Sequence, residues 1–253
     1  MTEYPILEYD HDPTAIINPR PPKPEEVLPP HGILCFFQEV IHTLADEGRL
    51  KLLFNLRSEM GANPVYELVG HAPRVFVYHP GLGAPLAAGF LDEVIAFGGK
   101  YMIACGGSGV LDRSHDVGHL FIIESAVRDE GTSYYYLKPD REVSASPRVT
   151  AILSEVLEEQ NLPVHTVKSW TTDCFYRETT RRRNQRLAEG CEIVEMEAAA
   201  FFAVSQFRGV EFGEIVYAGD VVVPGEWDSR KWQTRKDVRM GLFQVAVEAV
   251  SRL

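Results

Sequence analysis

EIVEMEAAAFFAVSQFRGVEFGEIVYAGD, running from Glu192 to Asp220, decides the reading of this chain. Its middle, MEAAAFFAVSQF, has hardly a polar face, which predicts a buried helix. The part after it, GEIVYAGDVVV, reads as a buried strand ending in a loop. Glu195, Met196 and Glu197 stand where the preceding strand meets the helix. An unpaired charge beside an apolar helix is costly to bury, so these two carboxylates need partners. A ligand rich in hydroxyls would supply donors, and the positive end of a helix dipole would also favour acids. Asp220 follows the apolar run Ile215-Val216-Tyr217-Ala218-Gly219. A carboxyl there is placed to act as a general acid if burial raises its pKa, or to cap a turn.

Working outward, the pattern alternates. Phe36 to Glu47 reads as a helix, and PVYEL with RVFVYH (Arg74 to His79) as a strand pair with Gly70 near the turn. PGLGAP (Pro80 to Pro85) lacks the third glycine of a dinucleotide loop and reads as a turn before the helix PLAAGFLDEVIAFG, which ends at Gly98 or Gly99. KYMIACGG predicts a buried strand entering a tight turn at Cys105-Gly106-Gly107-Ser108-Gly109. Successive N–H groups of such a turn can cradle an anion. HLFIIESAV and VHTVKSW read as strands. Between them Ser146-Pro147 opens a helix, as N-cap and first residue, with Val149, Ile152, Leu153, Val156 and Leu157 at helical spacing. Val238, Leu242, Val245 and Ala249 stripe a last helix. Strands alternating with helices imply an α/β fold with a central sheet. The expected organisation is one domain over residues 31–253, preceded by an extended arm over residues 1–30 with prolines at Pro13, Pro19, Pro21, Pro22, Pro24, Pro29 and Pro30.

Composition narrows the function. In 253 residues, 45% are hydrophobic and 24% charged, enough for a sizeable core. The formal net charge of -11 argues against a nucleic-acid partner. No apolar stretch approaches the ~20 residues that span a bilayer, so no membrane is expected. The opening MTEYPILEYDHDP has no basic segment followed by an apolar run, so no signal peptide is expected. Cys35, Cys105, Cys174 and Cys191 are widely spaced and read as buried free thiols, consistent with a cytoplasmic protein. Arg181-Arg182-Arg183 reads as a solvated helix face or an anion site. The eight histidines form no HExxH. His115 and His119 are four apart, but Gly118 intervenes and the second begins a strand, so no metal is expected.

EIVEMEAAAFFAVSQFRGVEFGEIVYAGD resembles the signature of the nucleoside phosphorylase superfamily, in particular uridine phosphorylases and hexameric purine nucleoside phosphorylases. AVRDEGTSYYYL and WTTDCFYRET look like further segments of that family, and the resemblance covers most of residues 64–252. It implies a single-domain fold with a central mixed β-sheet flanked by helices. It also implies a pentosyltransferase that cleaves a nucleoside's N-glycosidic bond, giving free base and pentose 1-phosphate. No cofactor is implied; inorganic phosphate is the co-substrate. By this resemblance Asp220 is catalytic and acts on a purine-like base. Glu197, Met196 and Glu195 bind ribose. Phe175 stacks on the base, and Arg181 reaches a pyrimidine carbonyl. Gly106, Gly107, Ser108 and Arg57 bind phosphate, Arg57 donated across a subunit interface. The resemblance further implies a homo-oligomer, a dimer or a trimer of dimers, to which the arm with His11 could contribute.

The departures concern phosphate. The family's glycine–aspartate–proline loop with its arginine should fall around Leu34 to Val40, where this chain has LCFFQEV. A second family arginine aligns with Met102; Lys100, on the same strand face, could substitute, and Arg128 is a further cation. The sugar and base half of the site thus looks kept and the phosphate half rebuilt. Three functions compete: a phosphorylase, a nucleosidase in which water replaces phosphate and Glu39 activates it, and a nucleoside-binding protein without turnover.

Overall fold

The computed structural model describes residues 4–253. In chain order its elements are β1 (His31–Cys35), α1 (Gln38–Asp46), β2 (Leu50–Ser58), β3 (Gly61–Leu68), β4 (Val75–Tyr78), α2 (Ala84–Ala96), β5 (Tyr101–Val110), β6 (Leu120–Asp129), β7 (Glu142–Ser144), α3 (Pro147–Glu159), β8 (Thr166–Thr172), α4 (Thr180–Ala188), β9 (Cys191–Glu195), α5 (Ala198–Arg208), β10 (Glu211–Val223), β11 (Glu226–Asp228) and α6 (Lys236–Val250).

The strands form one mixed sheet in the order β11-β10-β6-β8-β9-β5-β1-β4-β3-β2, with β7 on β6. β10 also pairs with β5, so β10, β6, β8, β9 and β5 close a ring, a barrel within the sheet. The expected mixed sheet flanked by helices is present; the closure is the addition. It requires β10 to bend, and its pairing to β5 shifts register between Ala218 and Val221.

Residues on both faces of the central strands are apolar, as a sheet covered on both sides requires. In β5, Met102 and Ala104 pack with α2 and α5, while Ile103 and Cys105 pack with α1, α3 and α6. In β10, Phe212, Val216 and Ala218 face the first group, and Ile215 and Tyr217 the second.

Four strands, β1, β2, β7 and β11, lie where no strand was expected; β1, β7 and β11 are three to five residues long, too short to show a period. The glycine-rich turn is also corrected. Cys105 to Gly109 continues β5 without a break, and none of its glycines has a positive φ. These glycines serve close packing instead: a Cβ at Gly106 would lie 3.0 Å from Phe36, and one at Gly109 3.0 Å from both Val194 and Val222. β10 runs through Asp220 to Val223, as the reading of GEIVYAGDVVV as one strand expected. Of the cysteines, Cys174 is exposed, contrary to expectation, and the other three are buried.

Gly32 in β1 makes a sharper packing demand, since a Cβ there would fall 2.1 Å from the buried ring of Phe76. Gly32→Ala should therefore lower stability by about 1–3 kcal/mol through overpacking. A urea titration should show a lower midpoint with an unchanged slope.

Between residues 4 and 30 the chain makes only two short 3-10 turns, Pro5–Leu7 and Pro24–Glu26. It lies on the body at a few points. The Leu28 N–H donates to the Phe97 carbonyl at 2.8 Å, and the Arg20 guanidinium lies over the Phe97 ring. Residues 1–3 of the expected arm lie outside the described residues.

Candidate functional site

A cavity of about 300 Å³ opens where β5, β9, β10 and the start of α5 converge, a size at the lower end for small-molecule sites. Its lining includes Gly107, Ser108 and Gly109 of β5, Glu195 of β9, Met196 and Glu197 before α5, and Glu214 and Asp220 of β10. Phe36, Phe37, His79, Trp232 and Arg239 also line it. Glu195, Met196, Glu197, Gly107, Ser108 and Asp220, named from the sequence, are thus brought together.

The two glutamates divide the roles left open above. Glu195 Oε2 accepts the N–H groups of Glu197 and Ala198 at 2.6 Å, capping the first turn of α5. Its Oε1 accepts from Ser169 Oγ at 2.8 Å and Thr171 Oγ1 at 2.6 Å. Glu195 is therefore a satisfied cap, and the dipole reading fits it. Glu197, 5% exposed, accepts the Gly83 N–H at Oε1, 2.5 Å away, and the Met196 backbone N–H also bears on its carboxyl. Gly83 can present that N–H because it sits at φ 84°, before α2. Burial, then the charge of Glu195, pushes the Glu197 carboxyl up to about 8.

Two charged residues of the cavity were not foreseen. Glu214, 2% exposed, shares the α5-facing side of β10 with Phe212 and Val216, and its Oε2 has no partner. Burial, then Glu195 and Glu197, raises its carboxyl well above the usual range. The signal was an acid inside the apolar run GEIVYAG. Arg239 lies on the buried side of α6. Its guanidinium is stacked near Phe37, Trp232 and Tyr217, donates to Tyr217 Oη at 3.0 Å and pairs with Glu39. Its signal was a cation beside the apolar stripe of Val238 and Leu242. His79 accepts the Gly81 N–H at Nδ1, 3.0 Å away, and burial lowers its pKa, leaving a neutral ring at pH 7.

Asp220 Oδ2 accepts from Trp227 Nε1 at 2.6 Å, which ties it to β11. Burial, then the charge of Asp220, raises Glu178 to about 7.

Other expected residues lie elsewhere. Gly106 does not line the cavity; it packs on Phe36. Phe175 is 52% exposed against Tyr176, and Arg181 is exposed near the start of α4. Neither lines the cavity. Arg57 is exposed on β2, the outermost strand, so only a neighbouring copy could receive it. Arg128 is buried and spent on Ser133 Oγ and on the carbonyls of Lys138 and Leu137. Lys100 precedes β5, about 20 Å of strand from Gly107, and Met102 is buried in the core. Glu39 is bound to Arg239 and does not line the cavity. The spacing argument about histidines is also corrected: His115 and His119 do come together, joined by His165.

The fold matches solved structures closely. Purine nucleoside phosphorylase from Toxoplasma gondii, in complex with immucillin-H, superposes with a TM-score of 0.76, at 19% identity over 90% of this chain and 92% of that one. AMP nucleosidase from Bacteroides thetaiotaomicron gives a TM-score of 0.71, at 19% identity over 88% of this chain and 87% of that one. In sequence, a guanosine phosphorylase from Halorubrum lacusprofundi is 27% identical over 230 residues, 84% of this chain and 95% of that protein. The family model of the phosphorylase superfamily matches residues 30–251, nearly the whole chain, and the protein belongs to that superfamily.

Proposed function

We propose that this protein cleaves the N-glycosidic bond of a purine or pyrimidine nucleoside by phosphorolysis, releasing free base and pentose 1-phosphate. One observation carries the reading: the buried carboxyl of Glu197 and that of Asp220 line the same cavity. Glu197 accepts the ribose hydroxyls, Met196 packs beside the sugar, and Asp220 neutralises the departing base. A cleaving bond makes the sugar oxocarbenium-like, and a nearby carboxylate stabilises that charge. Arg239, Ser108 and the backbone of Gly107 form the anion side. No cofactor or metal takes part in this step. The named phosphorylases among the relatives support phosphate as the nucleophile.

A second reading, hydrolysis, has its own support. Phe36 and Phe37 form the wall where an arginine-bearing loop was expected, and Arg239 is already paired with Glu39. Phosphate carries about two charges and is usually held by several cations. Water needs none, and Glu214 Oε2 is an unpartnered oxygen in the same cavity that could hold it.

The purified protein, incubated with a panel of nucleosides with and without phosphate, separates these readings. Phosphorolysis predicts base release only with phosphate, with equal pentose 1-phosphate. Equal release without phosphate establishes hydrolysis. No release from any nucleoside overturns both and leaves a binding protein. Exposed Arg57 on an edge strand fits a homo-oligomer in which one copy completes the neighbour's anion site.

A further inference from the structure

We propose that His115, His119 and His165 form a binding site for a divalent transition metal ion of the zinc class, separate from the groups assigned to nucleoside cleavage. One ring nitrogen of each lies within 4.8 Å of one from each of the others. His119 Nε2 and His165 Nδ1 are 3.2 Å apart. Two nitrogens on one tetrahedral zinc stand about 3.3 Å apart, given metal–nitrogen bonds of about 2.0–2.1 Å. The pair is therefore already at ligating separation, and a ring nitrogen of His115 lies within 4.8 Å of both.

The surroundings are those of a ligand set. Glu192 Oε2 lies 3.1 Å from His115 Nε2 and 3.3 Å from His165 Nε2. A carboxylate on the far nitrogen of a histidine holds that nitrogen protonated and turns the other lone pair outward, as outer partners of metal-bound histidines do. With Nε2 of His165 so held, its Nδ1 lone pair points at His119 Nε2. All three rings pack against the buried ring of Phe121, with centroids 4.9–5.3 Å away, which limits their rotation. Asp116 and Glu192 supply negative charge near His119, and Arg230 donates to the His115 carbonyl, not to its ring. The cluster is partly exposed, so an ion can enter and a water can fill a fourth position.

The site ties three distant segments together. The His119 carbonyl accepts from the Ala218 N–H at 2.7 Å, two residues before Asp220, so the ion would brace the wall that carries Asp220.

The test uses the full chain without a histidine tag, freed of metal by chelator and dialysed against Zn2+ or Co2+. The expected result is one ion per chain, visible absorption bands of tetrahedral Co2+, and a higher melting temperature with Zn2+. His119→Ala and His165→Ala should each weaken uptake at least 100-fold, and the near-isosteric Glu192→Gln about 10–100-fold. His42→Ala, on exposed α1, should bind like the parent. Less than stoichiometric uptake by the parent, or uptake unaltered in both histidine variants, overturns the site and leaves a hydrogen-bonded His119–His165 pair. Binding is read without nucleoside, so the result stands apart from the proposed activity.

Discussion

Glu197→Gln should lower kcat/KM for a ribonucleoside by roughly 10²–10⁴-fold while making the empty protein more stable at pH 8. Two hydroxyl hydrogen bonds to an ionised carboxylate are worth about 1.5–3 kcal/mol each, and about 1.4 kcal/mol is tenfold in rate. The amide keeps the shape and still accepts the Gly83 N–H, so the turn before α2 stays in place. A 2′-deoxynucleoside, which offers one hydroxyl fewer, should suffer a smaller loss. The stability change has the opposite sign because the carboxyl is raised to about 8 in the folded state, by burial and then by Glu195. In the unfolded chain it titrates near 4.3. The folded state therefore binds the proton more tightly, and stability is lost as pH rises from about 4 through 8. Melting temperatures of the variant and parent should coincide near pH 4, then separate in favour of the variant until about pH 8. A purely structural glutamate would instead lose stability and activity together. For the same reason, kcat/KM of the parent should climb towards pH 8, and the variant should lose that limb.

What could be read from the sequence follows the range of the forces involved. Helix α5 was legible because AAAFFAVSQF carries its burial in adjacent residues, and Gly209, at φ 69°, marks its end locally. The meeting of Glu197 and Asp220 followed from the strand–helix–strand order and the resemblance it carries. The glycines of β5 were misread as a turn because the same residue serves a positive φ and a close approach. Only the positions of Phe36, Val194 and Val222 distinguish the two. Glu214 and Arg239 lie in apolar stretches, but their exposure to a cavity depends on strands and helices far away in sequence. The histidine cluster is more distant still: His165 and Glu192 reach His115 only through the parallel pairing of β6, β8 and β9. The cation that lines the cavity, Arg239, came from the last helix and not from Lys100 or Arg128.

Asp220→Asn should slow cleavage of ordinary nucleosides about 10²–10⁴-fold, the usual contribution of a positioned acid, with little change in KM. Trp227 Nε1 holds Oδ2 at 2.6 Å, and an asparagine oxygen can take the same bond, so the side chain should keep its place. What the amide cannot do is take up a proton and pass it on to the leaving base. A nucleoside whose base already carries a positive charge, such as an N7-methylated purine nucleoside, leaves without that proton. For it the variant should react at nearly the parent's rate. The ratio of the two rates isolates proton donation from binding, since both substrates share the same sugar. Glu178, raised to about 7 by burial and then by the charge of Asp220, supplies an independent check. Removing that charge in Asp220→Asn lowers Glu178, so any limb it contributes near pH 7 should move to lower pH. Equal slowing of both substrates would show that Asp220 shapes the cavity through Trp227 and β11 and does not protonate the base.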